Sequence, residues 1–337
     1  MPQTTRVRIQ EQSQTADARR AARVMAQNLG FDETLTGQVA IVTTEVCTNL
    51  LKHAGGGEVL LQPVDGDEPG SSALELLAID KGPGIGNLDQ ALRDGYSTGG
   101  TPGHGLGAIV RLASTSDFYS EASRGAAVLA RWSTGPKTPG WRLPPLQIGA
   151  LNIAKPGQEV CGDAWGAEQT ADYSVIMVAD GLGHGFDART AAAEAVRILH
   201  SSPGLSPAEI AERSHLALRS TRGAALAVAR IDRYRERVTF SGIGNISAHI
   251  YSGIAEGQHL VSVHGTAGFQ TAKIREFEYP WPDRGMLLMY SDGLATHTSP
   301  SGYPGLALRD PALIAGVLYR DFARGNDDAT VVAARAA

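Results

Sequence analysis

Cysteine is almost absent: Cys47 and Cys161 are the only two in 337 residues, far apart and without metal-ligand spacing. That excludes a disulfide framework and points to a reduced, cytoplasmic compartment. Excess positive charge is missing as well. Lys and Arg number 30 against 35 Asp and Glu, for a formal net charge of −5, which removes the electrostatic footprint of a nucleic-acid binder. No apolar stretch approaches the ~18–20 residues of a membrane-crossing helix. The opening MPQTTRVRIQ alternates like a strand and lacks the apolar core of a secretion signal. No histidine pair stands at H-E-x-x-H spacing, so a zinc site is not expected.

What remains is a long chain of ordinary globular composition, 42% hydrophobic and 19% charged, enough for two domains with a core each. Residues 135–146, GPKTPGWRLPPL, hold four prolines among small and polar residues. Proline denies such a stretch ladder hydrogen bonds, so it reads as a linker between domains at 1–134 and 147–337. In the first domain the pattern predicts strands over 5–9, 58–63, 73–79, 117–121 and 126–132, and helices over 15–29, 33–53 and 106–114. In the second it predicts strands over 174–179, 224–231, 238–243, 286–290 and 330–334, and helices over 188–200, 207–219 and 310–321. No internal repeat is present.

Glu45, Asn49 and His53 recur every four residues on the second predicted helix and share one face. Alone they read as a solvated polar stripe, but a carboxylate and an amide on one face also suit a base and a Mg²⁺ ligand. Asp80 ends the apolar run ALELLAI and precedes Lys81-Gly82-Pro83-Gly84-Ile85-Gly86. An Asp so placed can accept from an adenine amino group while the glycines allow close approach; a lone D-x-G-x-G is as readily a turn. Gly99, Gly100, Gly103, Gly105 and Gly107 crowd a loop that leads into a helix, where backbone N–H groups can meet phosphate. The three signals in that order carry more weight than any one of them.

At these residues the first half resembles the GHKL ATPase superfamily, and within it the anti-sigma-factor serine kinases. The stretch LRDGYSTGGTPGHGLG, residues 92–107, is similar to that of the switch kinases of bacterial stressosomes. The resemblance implies a Bergerat-type α/β sandwich that binds ATP and Mg²⁺. It implies Glu45 as the base, Asn49 as the Mg²⁺ ligand and Asp80 as the adenine acceptor. Gly82, Gly84, Gly103, Gly105, Leu106 and Gly107 would complete the nucleotide site. The family usually carries a Gly-Thr near the last strands, whose hydroxyl supports the adenine contact; here the string is Arg124-Gly125-Ala126-Ala127.

In the second half, aspartates stand at the ends of apolar strands: Asp180 after VIMVA, Asp292 after MLLMYS, and Asp327 with Asp328 before ATVVAA. Asp-Gly pairs are common turns, so each alone reads as structural. Together they read differently, because carboxylates sharing a site repel unless a cation lies between them. Two divalent ions in such a cluster can activate water and clamp phosphoryl oxygens. Five stretches, Cys161-Gly-Asp163-Ala-Trp, Val178-Ala-Asp180-Gly-Leu-Gly, Thr221-Arg-Gly-Ala, Tyr290-Ser-Asp292-Gly-Leu and Asp327-Asp328-Ala-Thr330, resemble in order the metal-dependent type 2C protein phosphatases of the SpoIIE-like branch. The likeness implies an αββα sandwich. Asp180 would bridge two Mn²⁺ or Mg²⁺ ions, with the Gly181 carbonyl on one, Asp292 and Asp327 on the other, and Asp163 in the outer shell or bound through water. Spacing leaves Asp327 and Asp328 both open as the ligand. His184 stands where relatives carry small residues, and reads as a loop histidine or a phosphate donor.

The expected fold class is α/β (α+β), a nucleotide sandwich followed by a phosphatase-like sandwich. The expected function is a fused switch enzyme. Its first half would phosphorylate Ser or Thr on a STAS-domain protein, an anti-sigma-factor antagonist or stressosome component, and its second would remove the phosphate; a sigma factor or downstream switch protein is a further partner. Both activities running together would only hydrolyse ATP, so partner or nucleotide state is expected to bias one. Two alternatives stand beside this: a first half that only binds ATP and its partner, and a scaffold with both sites degenerate.

Overall fold

In the computed structural model, residues 3–66, 71–91, 105–134, 146–252 and 257–336 are described. They fall into two units, Pro2–Arg142 and Leu143–Ala337. In chain order the first contains β1 (Thr5–Ile9), α1 (Gln12–Asn28), α2 (Glu33–Asn49), β2 (Gly57–Asp65), β3 (Ser72–Ile79), α3 (Leu88–Ala91), α4 (Leu106–Leu112), β4 (Thr115–Glu121) and β5 (Gly125–Ser133). Its sheet runs β1-β2-β3-β5-β4, antiparallel throughout. One sheet face packs on the helices through Ile9, Leu61, Leu74, Leu76 and Trp132. The buried stripe of α1 is Ala18, Ala22 and Ala26; four-residue spacing makes it one face, and the small side chains let α2 come close. Asp32 caps α2, its side chain accepting from the Leu35 N–H at 2.7 Å.

The helix expected over 33–53 is not uniform. It is α-helical to Asn49 and then widens into a π-helical turn, Leu50–Ala54, which closes on Gly55 in the left-handed region (φ 72°). Just beyond the turn, Gly57 runs tight against β3. A Cβ on Gly57 would lie 2.5 Å from the Ile79 carbonyl oxygen.

The second unit holds β6 (Leu146–Ile153), β7 (Asp163–Gln169), β8 (Tyr173–Gly181), α5 (Phe186–Ser201), α6 (Pro207–Ala217), β9 (Ala224–Asp232), β10 (Arg237–Ile243), β11 (Ser247–Ser252), β12 (Gln258–His259), β13 (Phe277–Pro280), β14 (Gly285–Tyr290), α7 (Pro311–Phe322) and β15 (Ala329–Ala336). Two antiparallel sheets form, β13-β10-β9-β8-β7 and β12-β11-β14-β15-β6. They enclose Ile176, Val178, Phe240, Met289 and Val332. Full burial of a side chain such as Phe240 contributes about 1.5–3 kcal/mol. α5 and α6 cover the outer face of the first sheet through Ala191, Ala195, Ile210 and Leu226, and α7 packs on β6 and β15. The layers are therefore helix, sheet, sheet, helix, as expected.

Several strands escaped the periodicity reading. β6 starts at Leu146, inside the expected linker; residues 135–145 lie outside the described ones. β6 and β7 carry glycines that weaken a strand signal, but neighbours require them. A Cβ on Gly149 would stand 1.9 Å from the Ala312 backbone nitrogen in α7, and one on Gly166 2.4 Å from Val196 Cγ1 in α5. β11, β12 and β13 are short, and two of them are edges. No helix among the described residues is long and apolar enough to cross a membrane.

Candidate functional site

In the first unit a cavity of about 650 Å³ opens between α2, the loop after β3 and the start of α4. Glu45, Asn49 and His53 all line it, His53 from within the π turn. Glu45 and Asn49 are half-buried and His53 is exposed. Asp80, Gly84, Gly105, Leu106 and Ala126 complete the wall. Gly82 and Gly107 do not line it. A Cβ on Gly82 would meet Ala54 at 2.7 Å, and Gly107 is buried in α4. Gly103, Gly99 and Gly100 lie outside the described residues.

The carboxylate of Asp80 is fixed by main chain: its Oδ1 accepts from the Gly82 N–H at 2.8 Å and the Ala126 N–H at 3.2 Å. The loop it begins is tied to the β4–β5 hairpin, since Ser123 N–H donates to the Pro83 carbonyl (2.9 Å) and Ile85 N–H to Ser120 Oγ (2.6 Å). Gly125, at φ 94°, allows this closeness, as a Cβ there would fall 2.0 Å from the Asp80 carbonyl oxygen. Lys52 and Asn87 also line the cavity and were not singled out in the sequence. Lys52 had a signal, standing three residues beyond Asn49 on the same face; Asn87 lay hidden as the residue that ends the glycine string.

In the second unit, register brings two carboxylates face to face. Asp163 at the start of β7 pairs directly with Asp180 at the end of β8. Asp163 is fully buried, and burial first, then the Asp328 charge, pushes its carboxyl up to about 7 despite the Ser291 hydroxyl. Burial, then the charges of Asp163 and Asp292, with a smaller part from Asp327, push Asp180 up to about 9. Burial and Asp327 also raise Asp292, against Arg324 and the Asn245 amide. Ser291 Oγ donates to Asp163 Oδ2 at 2.6 Å, and Asn152 Nδ2 to the Asp163 carbonyl (3.1 Å) and Thr330 Oγ1 (2.8 Å). Asn245 Nδ2 donates to Asp292 Oδ2 at 2.8 Å. Asn152 and Asn245 were not named from sequence, and Ser291 and Thr330 stood there only within longer stretches, without a role.

Gly181 lets α5 press against the strand end; a Cβ there would meet the Ala188 carbonyl oxygen at 2.0 Å. Asp327 is half-buried, and its Oδ1 accepts from the Asp328 N–H at 2.9 Å. Asp328 is buried; its Oδ1 accepts from the Lys155 N–H at 2.8 Å, while its Oδ2 has no hydrogen-bond partner. His184 is exposed. Among the described residues no three Asp, Glu, His or Cys side chains are gathered tightly enough to ligate one ion as they stand. The donor chemistry nonetheless fits a hard divalent cation: every donor is oxygen, and Asp163, Asp180 and Asp292 are raised by burial and by neighbouring carboxylates.

Comparison with known proteins assigns each unit a relative. The family Stage II sporulation protein E (SpoIIE) matches residues 170–337, and the Histidine kinase-like ATPase domain family matches residues 10–132. The serine/threonine-protein kinase RsbT of Bacillus subtilis (strain 168) is 31% identical over 127 residues, 37% of this chain and 94% of RsbT. The phosphoserine phosphatase RsbX of the same organism is 22% identical over 149 residues, 44% of this chain and 75% of RsbX. A solved complex of RsbX with magnesium superposes with a TM-score of 0.50 at 20% identity, over 57% of this chain and 96% of that one, which shows the fold. A structure from work on the bacterial stressosome, as a modular system controlling secondary messenger signaling, superposes with a TM-score of 0.53 at 27% identity, over 56% of this chain and 99% of that one.

Proposed function

We propose, from the premise that this chain belongs through its first unit to the RsbT-type histidine kinase-like ATPase family and carries in its second a SpoIIE domain homologous to RsbX, that it is a bifunctional partner-switching regulator. Its second unit is a metal-dependent phosphoserine/phosphothreonine phosphatase, and its first an ATP-dependent kinase acting on STAS-domain proteins. The observation that carries the reading is the facing pair Asp163 and Asp180: both carboxyls are raised first by burial, Asp180 then by the charge of Asp163 and Asp163 by that of Asp328. A structural turn has no use for two opposed carboxylates at a strand edge.

Asp180, Asp292, Asp327 and the Gly181 carbonyl would hold Mn²⁺ or Mg²⁺, with Asp163 behind them. Bound divalent cations would supply an activated water and charge for the phosphoryl oxygens. The chain's own residues set the stage. Ser291, Asn152 and Thr330 hold Asp163 in place, and Asn245 orients Asp292. Asp327 rather than Asp328 suits the ligand role, because its charge reaches Asp180 and Asp292 while that of Asp328 reaches the buried Asp163. In the first unit Asp80, held by two amides, would accept from adenine. Asn49 would take Mg²⁺, and Glu45 would receive the hydroxyl proton of the acceptor.

A second reading is favoured by Ala126, which stands on the cavity wall beside Asp80 without a hydroxyl: the first unit binds ATP and a partner without transfer. One experiment separates them. Full-length protein carrying Asp180→Ala is given γ-labelled ATP and a STAS-domain protein encoded beside it. Label on the partner, lost on Glu45→Ala, is expected for the kinase. ATP binding without label would leave the phosphatase as the sole catalyst.

A further inference from the structure

Two exposed phenylalanines stand at the strand edge that carries Asp180. Of the chain's seven, Phe186 and Phe269 are 75% and 63% exposed, and the other five are buried or half-buried. Leu182, between Asp180 and Phe186, is 48% exposed. Single exposed apolar side chains are ordinary, but three large ones on adjoining loops mark a surface built for contact.

Backbone bonds and one ion pair place the three on one rim. The Leu182 N–H donates to the Gly223 carbonyl at 2.9 Å. The Phe269 ring lies so near Gly223 that a Cβ there would be 2.8 Å from its Cδ2. Ala224 and Ala267 exchange N–H···O bonds of 3.0 and 2.9 Å, which fasten the loop bearing Phe269. Arg222 pairs with Asp187 at 2.6 Å, tying the turn before β9 to the first turn of α5, where Phe186 stands. In the β8–β9 register Gly181 faces Ala224 and Asp180 faces Ala225. The rim therefore begins directly beside the aspartate pair.

We propose that this rim docks the phosphorylated segment of a protein substrate and selects large apolar side chains next to the phosphoserine or phosphothreonine. The inference rests on the phosphatase reading of the aspartate cluster. Continuity argues for this occupant. A segment that presents a phosphoryl group to Asp163 and Asp180 would lie beside the chain that follows Asp180, and that chain offers Leu182 in the loop and Phe186 at the start of α5. Arg222 and Asp187 neutralise each other, so the rim offers apolar contact, not net charge. Aromatic side chains in such positions carry a large share of contact affinity.

The test uses full-length protein with Mn²⁺, p-nitrophenyl phosphate, and two synthetic phosphoserine peptides, one flanked on both sides by leucine and the other by glycine. The leucine peptide is expected to show a kcat/KM about tenfold or more above the glycine peptide. Phe186→Ser combined with Phe269→Ser should erase that ratio through KM, and Phe186→Leu combined with Phe269→Leu should keep most of it. Equal use of the two peptides by the wild type, or a serine variant that keeps the preference, would overturn the docking inference and leave the phosphatase standing. A wild type that hydrolyses none of the three substrates would sink the phosphatase reading, and docking with it.

Discussion

Asp80 in the first unit and Asp180 in the second occupy the same local setting: each closes a buried antiparallel strand and opens a glycine-rich loop. Their surroundings differ in what the adjoining chain supplies. Beside Asp80 come main-chain donors, the N–H groups of Gly82 and Ala126. Beside Asp180 comes a second carboxylate, Asp163, and with burial it pushes the Asp180 carboxyl up to about 9. An Asp at a strand end before glycine is thus undecided between hydrogen-bond acceptor and cation ligand. The partner strand decides which groups it meets.

Exchanging the losses is the strongest way to break this contrast. Asp180→Ala is expected to lower Mn²⁺-dependent hydrolysis of p-nitrophenyl phosphate by more than about 100-fold and to leave ATP affinity unchanged. Asp80→Asn should do the reverse, weakening ATP by roughly 10- to 100-fold, the worth of a hydrogen bond to a charged acceptor. Titration calorimetry and phosphatase assays on both variants check this; either variant losing both functions would show that the two sites are not independent.

A smaller effect concerns stability. Asp163 and Asp180 stand at about 7 and about 9 in the folded chain, against 3.8 for an ordinary Asp. A carboxyl whose folded pKa is raised binds its proton more tightly when folded. Its stabilising contribution is full below about pH 4 and is lost as pH rises through the folded values. Chelated protein should therefore melt at progressively lower temperature from about pH 5 to about pH 9, and Asp163→Asn should flatten the slope. Thermal scans across that range decide it; a wild-type slope that the variant leaves untouched would place the proton-binding elsewhere.

The finest adjustment returns to Asp80. Ala126→Thr would put a hydroxyl on the cavity wall and is expected to tighten ATP by about two- to tenfold. Weaker binding instead would show that the cavity is shaped around the methyl group.

Much of both sites was legible because it is local. Glu45, Asn49 and His53 follow from helical spacing, and the strand at Thr5–Ile9 from its alternation. Asp80, Gly84, Gly105 and Leu106 do converge on one cavity. What was not legible is held by partners distant in sequence. Asp163 is gripped by Ser291, 128 residues away, and Asn152 bonds to Thr330 across 178. β6 and β7 hid behind Gly149 and Gly166, whose missing side chains make sense only once α7 and α5 press on them. The π turn after Asn49 also carried no signal in the periodicity, since the polar spacing of Glu45, Asn49 and His53 reads as one continuous α-helix.

By itself the sequence determined which strand-end residues offer carboxylate oxygens, which strands are apolar enough to be buried, and where glycine permits a tight loop. Only the tertiary structure decided that Asp163 faces Asp180, that Ala126 offers an amide to Asp80, and that Leu182, Phe186 and Phe269 share a rim. The reason is physical: proton affinity and cation affinity depend on burial and on the distance to the next charge. Both are set by strand pairing between segments that never meet along the chain.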